Sequence, residues 1–322
     1  MILTLTPNPA LDLTYSIEQF ASGTSIRTDT ARTRAGGKGV NVSRVLNTQN
    51  LETLAIVPLG GLTGQEYADD LTKSALPHVT VEVSSATRRS IAIVERTAQD
   101  TTLLNERGAG YTEQEWQTVM KTTLHHLTHD ASCLVISGSL PPGTPDSLLA
   151  TLLSATKRLG IPSIVDVSGP ALLTAATLGA TVLKPNRDEL TEATGLTDPV
   201  EGALSLIAAG AQAAVVSLGS AGMICLTAGN ATAWHSRINE QITGNPTGAG
   251  DAAVAALARH LSATHRMFPS SPIIWENTLR TATAWSASAV LMPLAGELSP
   301  RHTSLAERVS ISTFAVTGPF TS

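Results

Sequence analysis

Apolar segments of strand length alternate with amphipathic segments of helix length from about residue 112 onwards. Buried strands are predicted for "SCLVISGSLPPG", "IPSIVDVSG", "ATVLKPN" and "AAVVSLG", and helices ending at Gly160 and Gly195 for "PDSLLATLLSATKRLG" and "NRDELTEATG". Strands without polar alternation are typical of a parallel sheet that is covered on both faces. The pattern therefore predicts an α/β fold with a mostly parallel sheet and helices on both faces.

Two earlier segments, near 11–33 and 87–104, do not follow this pattern because they alternate polar with apolar or small residues. Such alternation is typical of strands that expose one face. We expect these segments to form a small separate sheet beside the main one. The sequence contains no linker, low-complexity tract or internal repeat, so residues 1–322 are interpreted as a single domain.

Charge and composition argue against nucleic-acid and membrane partners. The net charge of −5 provides no cationic surface for either, and 3% aromatic residues are too few for a base-stacking platform. Residues 202–234 carry no charged side chain, but glycines divide them into strand-length pieces. We therefore predict buried sheet there rather than a membrane span, which needs about 20 mainly apolar residues.

The N-terminus and the cysteines predict a cytoplasmic protein. The start "MILTLTPNPALD" has neither the basic region nor the continuous apolar region of a signal peptide. Cys133 and Cys225 are the only cysteines, and both lie in apolar segments. We expect reduced thiols in the core rather than a disulfide or a zinc site.

The segment "NPTGAGDAAVAAL", residues 245–257, places Asp251 directly after a glycine turn and at the start of an uncharged helix. Glycines let backbone N–H groups point in one direction, and the helix start adds further free N–H groups and a partial positive charge. Together they predict an anion site. Asp251 is then either a helix N-cap or a carboxylate base beside a transferring phosphate.

The segment "AGGKGVNVSRVL", residues 35–46, is a second glycine cluster at a helix start. Gly36, Gly37 and Gly39 allow a ligand to approach the backbone closely, and Lys38 and Asn41 provide polar groups. The alternative is a purely structural turn.

The segment "LKPNRDEL", residues 183–190, follows a predicted buried strand. Lys184 and Asn186 therefore lie at the carboxyl end of the strand, where α/β sheets bind ligands. Glu189 follows Asn186 by three residues, so the two face the same side of a helix. The pair predicts either water-mediated binding of Mg²⁺ or a helix capping box.

Six motifs together resemble those of the PfkB-type (ribokinase-like) sugar kinases, especially the branch of 1-phosphofructokinase and tagatose-6-phosphate kinase. In chain order they are "NPALD", "AGGKGVNVSRVL", "SGSLPPG", "KPNRDEL", "VSLGSAG" and "PTGAGD". The resemblance extends to about residue 295. It implies a ribokinase-like fold with a small β-sheet lid, ATP-dependent phosphorylation of a sugar phosphate hydroxyl with Mg²⁺, and a homodimer formed through the lid.

The resemblance also implies roles for single residues. Asp251 would be the general base, and Gly248, Ala249 and Gly250 the anion hole for the transferred phosphoryl group. Asn186 and Glu189 would hold Mg²⁺ through water. The nucleotide would be bound by Lys184, Ser217, Gly219, Gly222 and Thr247, together with Asn186 and Glu189. The sugar would be bound by Asp12, Gly37, Lys38, Asn41 and Ser139, and its phosphate by Arg27 and Arg88 on lid strands.

Three positions depart from the branch and leave the acceptor open. The branch typically reads "TRINVKI" where this chain reads "TRRSIAI", so Ser90 replaces an asparagine and Ala92 a lysine that faces the phosphate. Arg89 is expected to face away from Arg88. Trp285 stands where glycine is common and is expected to reshape the base pocket. The alternatives are a kinase of an unphosphorylated hexose, a nucleoside kinase and a non-catalytic sugar or nucleotide sensor.

Overall fold

The computed structural model describes residues 1–98, 100–264 and 272–316. The strands are β1 (Ile2–Leu5), β2 (Ala10–Ile17), β3 (Arg32–Gly36), β4 (Thr53–Leu59), β5 (His78–Glu82), β6 (Arg88–Glu95), β7 (Asp100–Asn105), β8 (Cys133–Ser137), β9 (Ser163–Asp166), β10 (Val182–Leu183), β11 (Ala213–Ser217), β12 (Met223–Thr227), β13 (Thr232–Ile238) and β14 (Val309–Ala315). The helices are α1 (Lys38–Thr48), α2 (Gly61–Lys73), α3 (Glu113–His129), α4 (Ser147–Leu159), α5 (Pro170–Thr177), α6 (Arg187–Thr194), α7 (Pro199–Ala209), α8 (Ala249–Ala263), α9 (Pro272–Val290) and α10 (His302–Glu307).

In the described ranges the larger sheet has ten strands, in the order β14–β13–β12–β11–β10–β9–β8–β1–β4–β5. Seven neighbouring strands pair in parallel, namely β11, β10, β9, β8, β1, β4 and β5. Strands β12, β13 and β14 extend the sheet beyond β11 in antiparallel fashion. Parallel pairing brings the carboxyl ends of seven neighbouring strands to one edge of the sheet. Polar residues that follow these strands therefore meet along that edge.

Helices cover both faces of this sheet, because alternate residues of its central strands point to opposite sides. On β8, Leu134 and Ile136 belong to a buried cluster that includes α3, α4, α5 and α7. Cys133 and Val135 belong to the cluster on the other face, with α1, α8 and α9. This confirms the predicted α/β fold, and both cysteines are buried free thiols, as expected.

A second sheet of four strands, in the order β3–β2–β6–β7, confirms the predicted small sheet. Strand β2 pairs antiparallel with β3 and parallel with β6, so Asp12 lies in register with Arg34 on one side and Ser90 on the other. The expected strand around Arg27 is wrong, because residues 18–31 form no strand and Arg27 is exposed on an irregular segment. The ladder of β2 with β3 ends at Thr14, and Thr28 contacts β2 through its side chain instead, because its Oγ1 atom donates to the carbonyl oxygen of Ser16 at 3.1 Å.

The uncharged segment 202–234 is only partly the buried sheet that was predicted. Residues 202–209 belong to α7, which begins after Asp198, whose carboxylate accepts hydrogen bonds from the backbone N–H groups of Val200 and Glu201. A short apolar segment is compatible with either a helix or a strand. Here the N-cap formed by Asp198 stabilises the helix. Within the described ranges, none of the helices combines the length and apolarity that crossing a membrane requires.

The division of the chain stays a prediction. Residues 1–322 are interpreted as one domain with lid segments near 11–33 and 87–104. The structure places the small sheet against the edge where the parallel strands end.

Candidate active site

A cleft of about 800 Å³ lies where the carboxyl ends of the parallel strands face the small sheet. Ser139, Asp166 and Lys184 line it from β8, β9 and β10, and Asp12 and Arg88 line it from the small sheet. This is the place where ligands bind in open α/β sheets.

The cleft brings together most of the residues that the sequence singled out. Those that line it are Asp12, Gly37, Lys38, Asn41, Arg88, Ser139, Lys184, Asn186, Glu189, Ser217, Thr247, Gly248, Gly250 and Asp251. Gly219, Gly222 and Ala249 line an adjoining cavity instead. Arg27 lines neither.

Asp251 is buried in the cleft and does not cap its helix. Helix α8 begins at Ala249, with Gly248 as its N-cap in the left-handed conformation at φ 84°, and Asp251 is the third helical residue. Glycine is required at position 248 for two reasons. It adopts the left-handed conformation without strain, and a Cβ atom added there would lie only 2.8 Å from the Cβ atom of Ala295. The Asp251 carboxylate accepts a hydrogen bond from Asn41 Nδ2 at 2.8 Å. The N-cap interpretation of Asp251 is therefore wrong.

Burial gives Asp251 and Asp12 unusual acidities. Burial raises the pKa of Asp251 to about 6, with a further increase from Asp166, while Lys38 and the hydrogen bond from Asn41 act in the opposite direction. Burial also raises the pKa of Asp12 to about 7, partly opposed by Arg88. At neutral pH Asp251 is ionised, yet it holds a proton more strongly than an ordinary carboxylate.

Asp12 also depends on Gly36 for its position. A Cβ atom at Gly36 would lie 2.0 Å from Asp12 Oδ2, so only glycine at this place in β3 leaves room for the carboxylate. Gly36 thus serves the site by packing closely against Asp12, whereas the approach of a ligand to this glycine cluster stays a prediction.

Asp166, at the end of β9, connects two lysines and was missed by the sequence analysis. Its Oδ1 atom lies 3.3 Å from Lys38 Nζ and 3.8 Å from Lys184 Nζ, and its Oδ2 atom accepts a hydrogen bond from Ser137 Oγ at 3.0 Å. Burial acts to raise the pKa of Asp166, but Lys184 and Lys38 hold it below its ordinary value. Its place at the end of the apolar strand "IPSIVDVSG" was the signal that could have identified it.

Lys38 is an ion-pair bridge in this structure. Its Nζ atom contacts Glu189 Oε1 at 3.0 Å as well as Asp166, so it links α1 to α6 and β9. Burial alone would lower the pKa of Lys38, but Asp166 and Glu189 raise it above its ordinary value. Lys38 is therefore a permanent cation in the cleft.

Asn186 and Glu189 form the capping box that was one of the two interpretations. Asn186 Oδ1 accepts from the Glu189 N–H at 2.8 Å, and Glu189 Oε2 accepts from the Asn186 N–H at 3.0 Å. Among the described residues, no group of three or more histidine, cysteine, aspartate or glutamate side chains lies close enough to hold a metal ion. A Mg²⁺ ion that is held through its water ligands does not need three protein ligands close together. Asn186, Glu189 and Asp166 offer amide and carboxylate oxygens, which are the kind of group that Mg²⁺ prefers.

The adjoining cavity, of about 500 Å³, shares Asn186, Ser217 and Gly250 with the cleft. Trp285 is not among its lining residues, contrary to the expectation that it would reshape a base pocket. Its side chain is 2% exposed in the core, 5.7 Å from the Arg259 guanidinium. The neighbouring residue Ser286 lines the cavity instead, because one step along α9 turns a side chain by about 100°.

Asn8 is a second residue that the sequence analysis missed, although it lies within "TPNPALD". Its Nδ2 atom donates to Ser139 Oγ at 3.1 Å and to the carbonyl oxygen of Arg107 at 3.0 Å. Arg88 Nε and Nη2 donate to the carbonyl oxygen of Asn8, and Arg88 Nη1 donates to that of Glu106. The Arg88 guanidinium thus holds two backbone segments at one end of the cleft.

Comparison with known proteins gives consistent matches over most of the chain. The family model described as pfkB family carbohydrate kinase matches residues 6–300. A tagatose-6-phosphate kinase from Staphylococcus epidermidis is 33% identical over 272 residues, which cover 81% of this chain and 85% of the relative.

Solved structures are similar over nearly the whole chain. Phosphofructokinase-2 from Escherichia coli in complex with fructose-6-phosphate has a TM-score of 0.81 at 29% identity, covering 95% of this chain and 97% of the other. A possible 1-phosphofructokinase from Thermotoga maritima has a TM-score of 0.82 at 25% identity, covering 97% and 99%.

The raised pKa of Asp251 predicts that Asp251→Asn stabilises the protein above pH 6. A folded-state pKa of about 6 against the ordinary 3.8 means that ionised Asp251 opposes folding at neutral and higher pH. The penalty disappears below pH 4, where the carboxyl group is protonated in both states. We expect the variant to gain about 1–3 kcal/mol at pH 8 and nothing near pH 4.

Urea unfolding at several pH values measures this difference, with Asp69→Asn on the exposed face of α2 as the control. The control should show no such dependence on pH. Destabilisation of Asp251→Asn at pH 8 would contradict the assigned environment of Asp251.

Proposed function

The chain belongs to the pfkB family of carbohydrate kinases, and we propose that it transfers the γ-phosphoryl group of ATP to a hydroxyl group of a phosphorylated ketohexose. The observation that carries this proposal is the position of Asp251, whose carboxylate lies in the cleft and belongs to the first turn of α8. The base and the anion-binding end of the helix then face the same reacting atoms.

In the proposed reaction, Asp251 accepts the proton of the acceptor hydroxyl as its oxygen attacks the γ-phosphorus. The new O–P bond forms while the bond to the β-phosphate oxygen breaks, and ADP leaves. Asn41 Nδ2 donates to Asp251 Oδ2 and so orients the carboxylate, leaving its other oxygen for the hydroxyl. General-base assistance of this kind contributes about 10²–10⁴-fold to the rate.

The glycine turn and Lys184 would stabilise the transferred phosphoryl group. Gly250 and Asp251 lie in the first turn of α8, where backbone N–H groups have no partner in the helix itself. The N–H of Ala249 instead donates to the carbonyl oxygen of Pro246 at 3.1 Å, so its predicted share in the anion hole requires that this bond open. Lys184 Nζ lies beside the turn, 3.4 Å from the position that a Cβ atom would occupy if one were added to Gly250.

The adjoining cavity with Gly219 and Gly222 is proposed as the ATP site. It meets the cleft at Asn186, Ser217 and Gly250, so a nucleotide lying there would direct its phosphates toward Asp251. Asn186 and Glu189 would hold Mg²⁺ through water, and the ion would neutralise charge on the phosphates. The capping box fixes both side chains for that purpose.

The phosphorylated acceptor is supported by the relatives, whose names are tagatose-6-phosphate kinase and phosphofructokinase. Asp12, Gly37, Lys38, Asn41 and Ser139 line the cleft and remain the proposed sugar residues. Arg27 and Arg88 stay predictions for the acceptor phosphate. Ala92 favours the second candidate, a kinase of an unphosphorylated hexose, because a cation is missing at that position.

We expect Asp251→Asn to lower kcat by at least about 10²-fold while the fold is retained. The amide of asparagine has nearly the shape of the carboxylate but does not accept the hydroxyl proton. Steady-state kinetics with saturating ATP measure kcat, and Asp69→Asn serves as the control with unchanged activity. A near-normal kcat in Asp251→Asn would rule out its role as the base.

A panel of acceptors tests the substrate class. We expect kcat/KM to be highest for one of fructose 1-phosphate, tagatose 6-phosphate and fructose 6-phosphate, because charge-assisted contacts to a phosphate contribute about 1.5–3 kcal/mol each. The free hexoses are measured alongside at the same ATP concentration. If a free hexose exceeds every phosphate by tenfold, the phosphorylated acceptor is excluded.

We also infer a homodimer formed through the small sheet. Strand β7 is an edge strand of that sheet, and its Leu103 and Leu104 are 48% and 52% exposed. Exposed apolar edges of this kind promote pairing with another chain.

Light scattering at micromolar concentration should therefore give twice the chain mass of 33.4 kDa. Leu104→Lys should shift the protein toward the monomer, because a charge on the edge opposes pairing. Leu62→Lys is the control, since Leu62 is 82% exposed on α2, outside the small sheet. A wild-type mass of one chain would argue against the dimer.

A further inference from the structure

A third cavity, of about 420 Å³, lies beyond the cleft along the same face of the small sheet. Three guanidinium groups line it, those of Arg32 and Arg34 on β3 and that of Arg44 on α1, and we name it the arginine cavity. Two carboxylates, Asp12 and Asp70, also line it. The lining thus has an excess of positive charge, which is the chemistry of an anion site.

The arginine cavity is continuous with the cleft. Asp12, Asn41, Ser90 and Thr247 line both. Asn41 is the residue that holds the Asp251 carboxylate. A molecule whose hydroxyl lies at Asp251 therefore has room to extend into the arginine cavity.

Arg44 is a buried cation with unused hydrogen-bonding capacity. It is 6% exposed, and its Nη atoms donate to Ser74 Oγ, Asp70 Oδ2 and the carbonyl oxygen of Ala35. Its Nε–H has no hydrogen-bond partner in the part of the chain that the structure describes. Because this Nε atom has no contact with solvent, Arg44 contributes positive charge to the wall of the cavity rather than a hydrogen bond to a ligand.

Arg34 and Arg32 differ in how far they are neutralised. Arg34 Nη1 pairs with Glu297 Oε1 at 2.9 Å and is half-buried. Arg32 is exposed, and its side chain makes no ion pair or hydrogen bond with any described residue. Arg32 is therefore the cation of this cavity whose charge is still available to a ligand.

The strand register shows why these arginines lie at this place. Thr14 on β2 is paired with Arg32 of β3 on one side and with Ala92 of β6 on the other. Thr14 and Ala92 also line the arginine cavity. Arg32 thus places its positive charge on the same face of the sheet, in line with these two uncharged residues.

Arg88, at the other end of the cleft, is less available for a ligand. Three of its guanidinium N–H groups already donate to the carbonyl oxygens of Asn8 and Glu106. A phosphate bound there would compete with these bonds or use only the remaining two N–H groups.

We propose that the arginine cavity is the phosphate subsite of the acceptor, where Arg32 and Arg34 bind the phosphate group of a sugar whose reacting hydroxyl lies at Asp251. This inference rests on the proposed function. The side-chain hydroxyl of Thr14, which also lines the cavity, is a further donor to the phosphate. Arg32 and Arg34 are thereby specificity determinants of this chain.

The test compares Arg32→Ala with Arg89→Ala, a matched control. Both residues are exposed arginines on strands of the small sheet, but Arg89 faces away from the two cavities. We expect Arg32→Ala to raise KM for the preferred sugar phosphate by about tenfold or more, with kcat nearly unchanged and KM for ATP unchanged. Arg32→Lys should recover part of the loss, and Arg89→Ala should have little effect.

The proposal is overturned if KM for the sugar phosphate in Arg32→Ala stays within about twofold of the wild type while Arg89→Ala behaves alike. It is equally overturned if inorganic phosphate raises Tm through Arg32 but the sugar phosphate does not, because the subsite would then serve free phosphate only.

Failure of the proposed function gives a different result. If no sugar phosphate is turned over, the subsite is tested by binding. The Tm of thermal unfolding is measured with fructose 1-phosphate, tagatose 6-phosphate and fructose 6-phosphate, each without ATP. A rise in Tm that is lost in Arg32→Ala and kept in Arg89→Ala supports the subsite. A rise that both variants keep, or no rise in the wild type, overturns it.

Discussion

The ion pairs of Asp166 are the interaction on which the arrangement of the cleft depends. This carboxylate has almost no access to solvent, and a buried charge is tolerated only when opposite charges and hydrogen bonds surround it. Asp166 meets this condition through Lys38, Lys184 and Ser137. These partners come from α1 and from the ends of β10 and β8, and Lys38 continues to Glu189 on α6. One buried carboxylate thus fixes the relative positions of three strand ends and two helix starts, with two cations directed into the cleft.

The same cleft contains two carboxylates whose environment opposes their ionisation. Asp251 and Asp12 have raised pKa values because they are buried without a lysine or arginine in direct contact. Such groups lower the free energy of unfolding at neutral pH, and their retention is typical of sites that were selected for activity rather than stability. Each of these carboxylates depends on a neighbouring residue. Asn41 orients Asp251 by a hydrogen bond, and Gly36 leaves space for Asp12 because it has no side chain. The contrast with Asp166, which is fully paired, separates the carboxylate that holds the cleft together from those that are free to react.

The interpretation of single residues from their spacing had mixed success for physical reasons. The spacing of Asn186 and Glu189 predicted either a capping box or a magnesium site. The structure shows the capping box, and both side chains line the cleft. Asp251 looked like an N-cap, but the N-cap is Gly248, three residues earlier, so Asp251 lies inside the first turn of the helix. Arg27 was expected on a strand, yet a strand forms only where a neighbour offers a ladder. Trp285 lies in the core because the rotation of α9, rather than its position in the sequence, decides which side chain meets the cavity.

The sequence by itself determined the α/β architecture and the small second sheet, because local patterns of apolar residues act through neighbours along the chain. Spacing pointed to Lys184, Asn186, Glu189 and Asp251 in the cleft, whereas residues such as Asp12, Arg88 and Ser139 were indicated by the resemblance of the motifs to the family. Only the tertiary structure decided the partners of charged groups. That Lys38 bridges Asp166 and Glu189, that Arg88 is bonded to backbone carbonyls, and that Arg32 lies across Thr14 from Ala92 all depend on contacts between distant segments. Strand register and burial set those contacts, and the spacing of residues along one chain contains neither.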